Sequence, residues 1–260
     1  MEKKHLPIGF FDSGVGGLSV LLCAKSRLPK ENYIFYGDNA NAPYGDKTGE
    51  EIQSLTMDAA AFLVEKGIKA MVIACNTATS AAVKMIREKY NIPVISMEPA
   101  IKPACEECGD GEKVIVMATK ATLSQKRYLD LVSRLGCADK LISMPCCGLV
   151  ELIERDASYA EKTDYIRQKF SGIEDKISGI VIGCTHYSFV RELIHETASE
   201  MLSGKCSIYD GMYGTVKQLG RVLDQNSLAN DSGSGNVECY SSKGGDTVSV
   251  MRKIIENPKF

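Results

Sequence analysis

The chain has little that would take it to a membrane, a nucleic acid or a nucleotide. Its formal net charge is −2 over 260 residues, so no overall basic field exists to recruit nucleic acid or an acidic membrane surface. Lys113, Lys120, Lys126 and Arg127 are scattered among acids and read as solvated surface. The first apolar stretch, around Ile8–Phe11, is too short for a signal-peptide core, and no other run could span a bilayer. No Gly-Lys-Ser/Thr is present for a nucleotide P-loop. Asp12-Ser13-Gly14-Val15-Gly16-Gly17 allows a close backbone approach to a ligand, but Ser19 stands where a dinucleotide fingerprint needs its third glycine. Histidine is scarce, with three in all. Cys105-Glu106-Glu107-Cys108 has no matching second knuckle, so structural cysteines are expected there and at Cys146-Cys147 rather than zinc. No metal site is expected.

Cysteine is the residue that is not lacking: there are ten. With no export signal and several of them inside apolar runs, a reduced cytoplasmic setting is expected. Cys23 reads as a small buried hydrophobe. Two others stand out. Cys75 follows the apolar run Ala70-Met71-Val72-Ile73 and precedes Asn76-Thr77; Cys184 follows Ile180-Val181-Ile182 and precedes Thr185-His186. Each is predicted to sit where a strand gives way to a helix N-terminus, whose unpaired N–H groups and dipole stabilise a thiolate. Two thiols prepared alike, one in each half of the chain, suggest two proton carriers facing one substrate.

Strands alternate with helices throughout. The pattern predicts strands at 6–11, 32–36, 70–74 and 93–97, with helices at 18–27, 50–66 (closed by Gly67) and 78–90. A second series predicts strands at 113–117, 141–144, 179–183 and 206–209, with helices at 125–135, 148–155, 158–171 and 188–202. A flexible Asn230–Gly235 loop, a strand at 237–240 and a helix at 246–256, N-capped by Asp246 or Thr247, complete the chain. The halves run in register: 109 positions separate Cys75 from Cys184, and 107 separate Asp12 from Thr119. The expected fold is α/β: two pseudo-symmetric three-layer α/β/α lobes with mainly parallel sheets and the active site in the cleft between them. Residues 1–97 with 210–260 would form the first lobe, and 98–209 the second.

Among the polar residues, Thr119 and Thr122 could bind a carboxylate or cap the next helix. Glu151 and Glu154 share nearby helix faces, and the spacing chooses neither. A Cys184/His186 pair alone would also suit a thiol hydrolase, a reading that leaves Cys75 idle. A non-catalytic ligand-binding protein on the same scaffold is a third possibility.

The segments Phe11-Asp12-Ser13-Gly14-Val15-Gly16-Gly17-Leu18-Ser19-Val20, Gly37-Asp38-Asn39-Ala40 with Pro43-Tyr44-Gly45, Ala74-Cys75-Asn76-Thr77-Ala78-Thr79 and Gly183-Cys184-Thr185-His186-Tyr187 together resemble the cofactor-independent aspartate/glutamate racemase family. The Asp12-Ser13-Gly14 turn favours its glutamate branch over aspartate or a related acid. The resemblance implies L-/D-glutamate interconversion, without cofactor, that supplies D-glutamate for peptidoglycan. By similarity Cys75 exchanges the proton on the D face and Cys184 on the L face; Asp12 assists the first, and His186 with Glu154 the second. Asp12, Ser13, Pro43, Tyr44, Gly45, Asn76, Thr77, Thr119, Thr122, Thr185 and His186 would bind the substrate. Family members often form homodimers, so a homodimer is expected. Ser188 stands where the family usually has proline, and Cys146-Cys147 replaces a usual Cys-Pro.

Overall fold

The computed structural model describes residues 2–257. In chain order the first elements are β1 (Ile8–Asp12), α1 (Leu18–Arg27), β2 (Tyr33–Gly37), α2 (Gly49–Glu65), β3 (Ala70–Ile73), α3 (Asn76–Lys89) and β4 (Val94–Ser96). Then come α4 (Ile101–Glu106), β5 (Glu112–Ala118), α5 (Lys120–Ser124), α6 (Lys126–Leu135), β6 (Leu141–Pro145), α7 (Leu149–Glu154) and α8 (Tyr159–Phe170). The last are β7 (Lys176–Ile182), α9 (Arg191–Met201), β8 (Ser207–Asp210), α10 (Met212–Gln225), β9 (Val237–Ser241) and α11 (Gly245–Glu256).

The chain divides into two compact units, one running to Glu98 and resuming at Met212, the other spanning Pro99–Gly211. The first holds a five-stranded sheet in the order β4-β3-β1-β2-β9, and the second a four-stranded sheet in the order β6-β5-β7-β8. Every pairing is parallel. Matching β1 to β5, β2 to β6, β3 to β7 and β4 to β8 gives the two sheets one connectivity, with β9 an addition to the first. The duplication legible in the sequence is thus a duplication of topology.

Strands buried on both faces explain the unbroken apolar runs. All of β1 and β3 is buried, and so is β7 after its first residue. Glycine permits two close approaches. A Cβ on Gly17 would lie 2.6 Å from the Asp12 Cβ, and one on Gly183 would lie 2.7 Å from the Ala118 Cβ. Both glycines therefore let the chain turn tightly over the end of the opening strand of their unit. Helix α2 starts at a reciprocal capping box between Thr48 and Glu51, and Gly67 follows it at φ +76.

Four expectations are corrected. The helix expected at 188–202 begins as a 3-10 turn, Thr185–Val190, and becomes α-helical only at Arg191. The last helix is preceded by Gly244 and has no side-chain cap from Asp246 or Thr247. The Asn230–Gly235 loop is anchored rather than loose, because the Asn230 N–H donates to the buried Glu31 carboxylate at 2.8 Å. Helix α10 has no counterpart in the expected elements: Gly214 and Gly220 interrupt a pattern whose buried positions, Met212, Val216, Leu219 and Leu223, are helically spaced.

Candidate active site

In the first unit the expected site residues gather at the carboxyl ends of β1, β2 and β3, where ligands of open α/β sheets bind. Cys75 is the N-cap of α3; its Sγ accepts from the Ala78 N–H at 3.4 Å and lies 3.4 Å from the Ser13 hydroxyl. It is 6 % exposed. No acid occupies the first turn of α3, whose positive end favours an anion placed beside it. Asp12 is wholly buried at the end of β1, where its Oδ1 accepts from the Gly14 N–H at 2.9 Å. Thr77 is buried in the first turn of α3. Tyr44 opens a 3-10 turn capped by Pro43, with Gly45 next in the chain; its hydroxyl donates to Asp38 at 2.6 Å.

Asn76 is the exceptional residue. It is 3 % exposed, and among the described residues neither its Nδ2 nor its Oδ1 has a hydrogen-bond partner. Burying an unpaired amide costs about 1–3 kcal/mol. A folded chain tolerates that cost where a ligand supplies the missing partners.

In the second unit Cys184 ends the β7 segment, 8 % exposed, but its surroundings differ from those of Cys75. It precedes only the six-residue 3-10 turn and makes no cap hydrogen bond, so the expectation that both thiols face a helix N-terminus holds for Cys75 alone. What Cys184 has instead is His186. The Nδ1 of that ring stands 4.0 Å from Sγ, and its Nε2 lies 2.9 Å from Glu154 Oε1. Assigning the ring proton to Nε2, where the carboxylate accepts it, leaves Nδ1 bare and able to take or return the thiol proton. Of the two glutamates left open by the sequence, Glu154 is the one that reaches His186.

Thr185 is buried beside them. Thr119 caps α5, accepting the Thr122 N–H at 3.1 Å, and its hydroxyl donates to that of Thr122 at 2.9 Å. Two residues outside the expected set complete this half. Ser188 is buried, and its hydroxyl donates to Asp210 Oδ2 at 2.6 Å, joining the turn after Cys184 to the end of β8. The signal was the serine in a proline position; its partner, 22 residues away, could not be read from sequence.

Several of the remaining cysteines pack in the core, whereas Cys147 is exposed and Cys23, expected to be buried, is only partly so. Cys108 and Cys137 are buried in one apolar cluster with Ile101, Val114 and Tyr128, and Cys105 packs against it. Burial, then the neighbouring Cys137, pushes the Cys105 thiol up to about 12. Cys146 is likewise pushed up to about 12 by burial. Among the described residues no group of three or more His, Cys, Asp or Glu side chains is placed to hold a metal ion. No helix among them is long and apolar enough to cross a membrane.

The family described as Asp/Glu/Hydantoin racemase matches residues 20–219. A glutamate racemase of Clostridium perfringens is 47 % identical over 260 residues, covering 98 % of each chain. Two solved structures are close in fold. A glutamate racemase isoform from Bacillus anthracis has a TM-score of 0.82 at 28 % identity, over 99 % of this chain and 96 % of that one. A glutamate racemase from Francisella tularensis, in complex with D-glutamate, has a TM-score of 0.82 at 27 % identity, over 99 % and 95 %.

Proposed function

The chain belongs to the Asp/Glu/hydantoin racemase family, among its glutamate racemases, and from that premise we propose that it interconverts L- and D-glutamate by moving the α-proton between Cys75 and Cys184. The single observation that carries the reading is the duplicated placement of the thiols. Each follows the strand that pairs with the opening strand of its own unit, β3 beside β1 and β7 beside β5. The D-glutamate supplies peptidoglycan synthesis. The protein works as a homodimer in the cytoplasm: family likeness supports the first, and the second fits ten cysteines among which no disulfide is formed in the described residues.

Starting from D-glutamate, the Cys75 thiolate takes the α-proton. The C–H bond breaks, an S–H bond forms, and the electron pair stays on the α-carbon. The Cys184 S–H then delivers its proton to the opposite face, leaving a thiolate there; L-glutamate runs the same steps backwards. The difficulty is that an amino-acid α-hydrogen is much less acidic than a thiol. Charge developing on the substrate is offset by the positive end of α3 and by the Asn76 amide, both fixed before the substrate arrives. Ser13 and the Ala78 N–H hold the Cys75 sulfur; Asp12 assists that thiol, and the His186–Glu154 pair assists Cys184. Pro43, Tyr44, Gly45, Thr77, Thr119, Thr122 and Thr185 bind the carboxylates and amino group. No step draws on a cofactor or a metal.

The thiol-hydrolase reading uses Cys184, His186 and Glu154 and leaves Cys75 and the Asn76 amide without work. Incubation of either enantiomer in heavy water, followed by proton NMR and circular dichroism, tests the proposal. Deuterium at the α-carbon of the inverted product is expected, and Cys75→Ser or Cys184→Ser abolishes inversion. Inversion without label, or full turnover by either variant, refutes it.

A further inference from the structure

Asp38 is buried and faces the same strand ends, yet none of the roles above uses it. It follows β2 directly, and its backbone N–H donates to the Asp12 carbonyl at 3.0 Å, carrying the β1–β2 ladder one step beyond the sheet. It is 3 % exposed. Among the described residues no cation pairs with its carboxylate, which neutral donors surround instead. The Tyr44 hydroxyl donates to Oδ2 at 2.6 Å, and the Asn41 amide donates to Oδ1 at 2.9 Å and Oδ2 at 3.1 Å. The Asn41 N–H also donates to the Asp38 carbonyl at 3.1 Å. A buried carboxylate is costly unless such donors stay in place, so the cost of losing them holds the intervening loop in one shape.

We infer that Asp38 is a positioning residue for the reaction, a clamp that fixes the Pro43-Tyr44-Gly45 turn against the first turn of α3. Tyr44 packs on Phe11 of β1, ring centroids 6.4 Å apart, and its 3-10 turn lies against α3, the helix that begins with Asn76 and Thr77. The clamp also sets the chemistry of Tyr44. Burial first, then Asp38, raises its phenol far above the ordinary range, with the nearby Cys75 thiol adding to the effect, so the hydroxyl keeps its proton. That proton is committed to Asp38. The oxygen therefore offers only lone pairs to a ligand: it can accept from a substrate ammonium and cannot donate to a carboxylate. Carboxylate recognition by this turn falls to its backbone N–H groups.

This inference rests on the reading of Pro43-Tyr44-Gly45 as a substrate-binding turn. Its test compares wild type, Asp38→Asn, Tyr44→Phe and the double variant by racemisation kinetics and by amide hydrogen exchange over residues 39–48. Each single variant is expected to raise KM for glutamate about tenfold, the worth of a hydrogen bond to a charged group, with a smaller change in kcat. The double variant is expected to be little worse than either single one, because both remove the same contact. Exchange over 39–48 is expected to quicken in Tyr44→Phe, which keeps the ring and its packing. An active wild type with KM unchanged in both single variants, or strictly additive effects, overturns the clamp and leaves the function standing. A wild type inactive on glutamate overturns the function instead; exchange then judges the clamp alone, with quicker exchange upholding it and unchanged exchange refuting it.

Discussion

Glu154 Oε1 lies 2.9 Å from His186 Nε2, across 32 residues and from a helix to a turn. The carboxylate is partly solvated, the ring 4 % exposed, and the other ring nitrogen is the group that faces the Cys184 sulfur. The contact orients the ring and selects its tautomer. His186→Gln is expected to lower kcat about 10²–10⁴-fold, the usual worth of a general acid–base group, and Glu154→Gln to lower it less. Enantiomers have equal free energy in water, so kcat/KM must fall by the same factor in both directions. The role is therefore read from kcat measured separately for each enantiomer by circular dichroism; unchanged kcat/KM in both variants would remove the pair from the mechanism.

Removing the orphaned amide separates function from stability. Asn76→Ala deletes a buried group that has no partner among the described residues, relieving part of a cost of about 1–3 kcal/mol. Thermal stability is expected to hold or rise while KM for glutamate climbs at least about tenfold. A marked loss of stability with KM intact would mark Asn76 as a structural residue.

Far from the thiols, the buried Lys69 ammonium sits 2.5 Å from Glu31, with both side chains almost fully enclosed. It also donates to the Lys4 carbonyl, while Glu31 accepts the Asn230 N–H. This pair ties the N-terminal segment and the loop before β9 to the starts of β2 and β3. Lys69→Met strands a buried carboxylate and is expected to cost about 3–5 kcal/mol in urea unfolding. Adding Glu31→Leu is expected to recover only part of that, since the Asn230 N–H is then left unpaired. Full recovery would show that the Asn230 contact contributes nothing.

The start of α8 supplies a pH signature. Arg155, then the Ser158 backbone, lowers the Glu161 carboxyl from 4.5 to about 2. A carboxyl depressed in the folded state adds stability above its unfolded pKa and loses it as pH falls toward the folded one. The gap in melting temperature between wild type and Glu161→Gln is therefore expected to close as pH falls from 4.5 to about 2. A gap constant across that window would dissociate the ion pair from acid stability. The group is exposed, so the gap should also shrink with added salt.

Much of this molecule was legible because the informative signals act over a few residues. Unbroken apolar runs mark strands buried on both faces, and glycine-rich turns mark their ends. The two strand–thiol–helix segments therefore declared their positions, and the parallel α/β class followed. Where local signals were blurred, reading failed: α10 carries two glycines, and the turn after Cys184 resembles a helix start but forms 3-10 structure first.

The sequence by itself determined two duplicated α/β units with one thiol at a matching strand end in each, since hydrophobic periodicity and turn chemistry are properties of neighbouring residues. Only the tertiary structure decided how each thiol is served. Cys75 is held by a helix N-terminus and a serine, while Cys184 is served by an imidazole oriented from another element. It also decided that Glu154 rather than Glu151 meets His186, that the Tyr44 hydroxyl donates to Asp38, and that the Asn76 side chain is left unpaired among the described residues. Each of these depends on where side chains distant in sequence converge beyond the ends of a sheet, and no local pattern carries that distance.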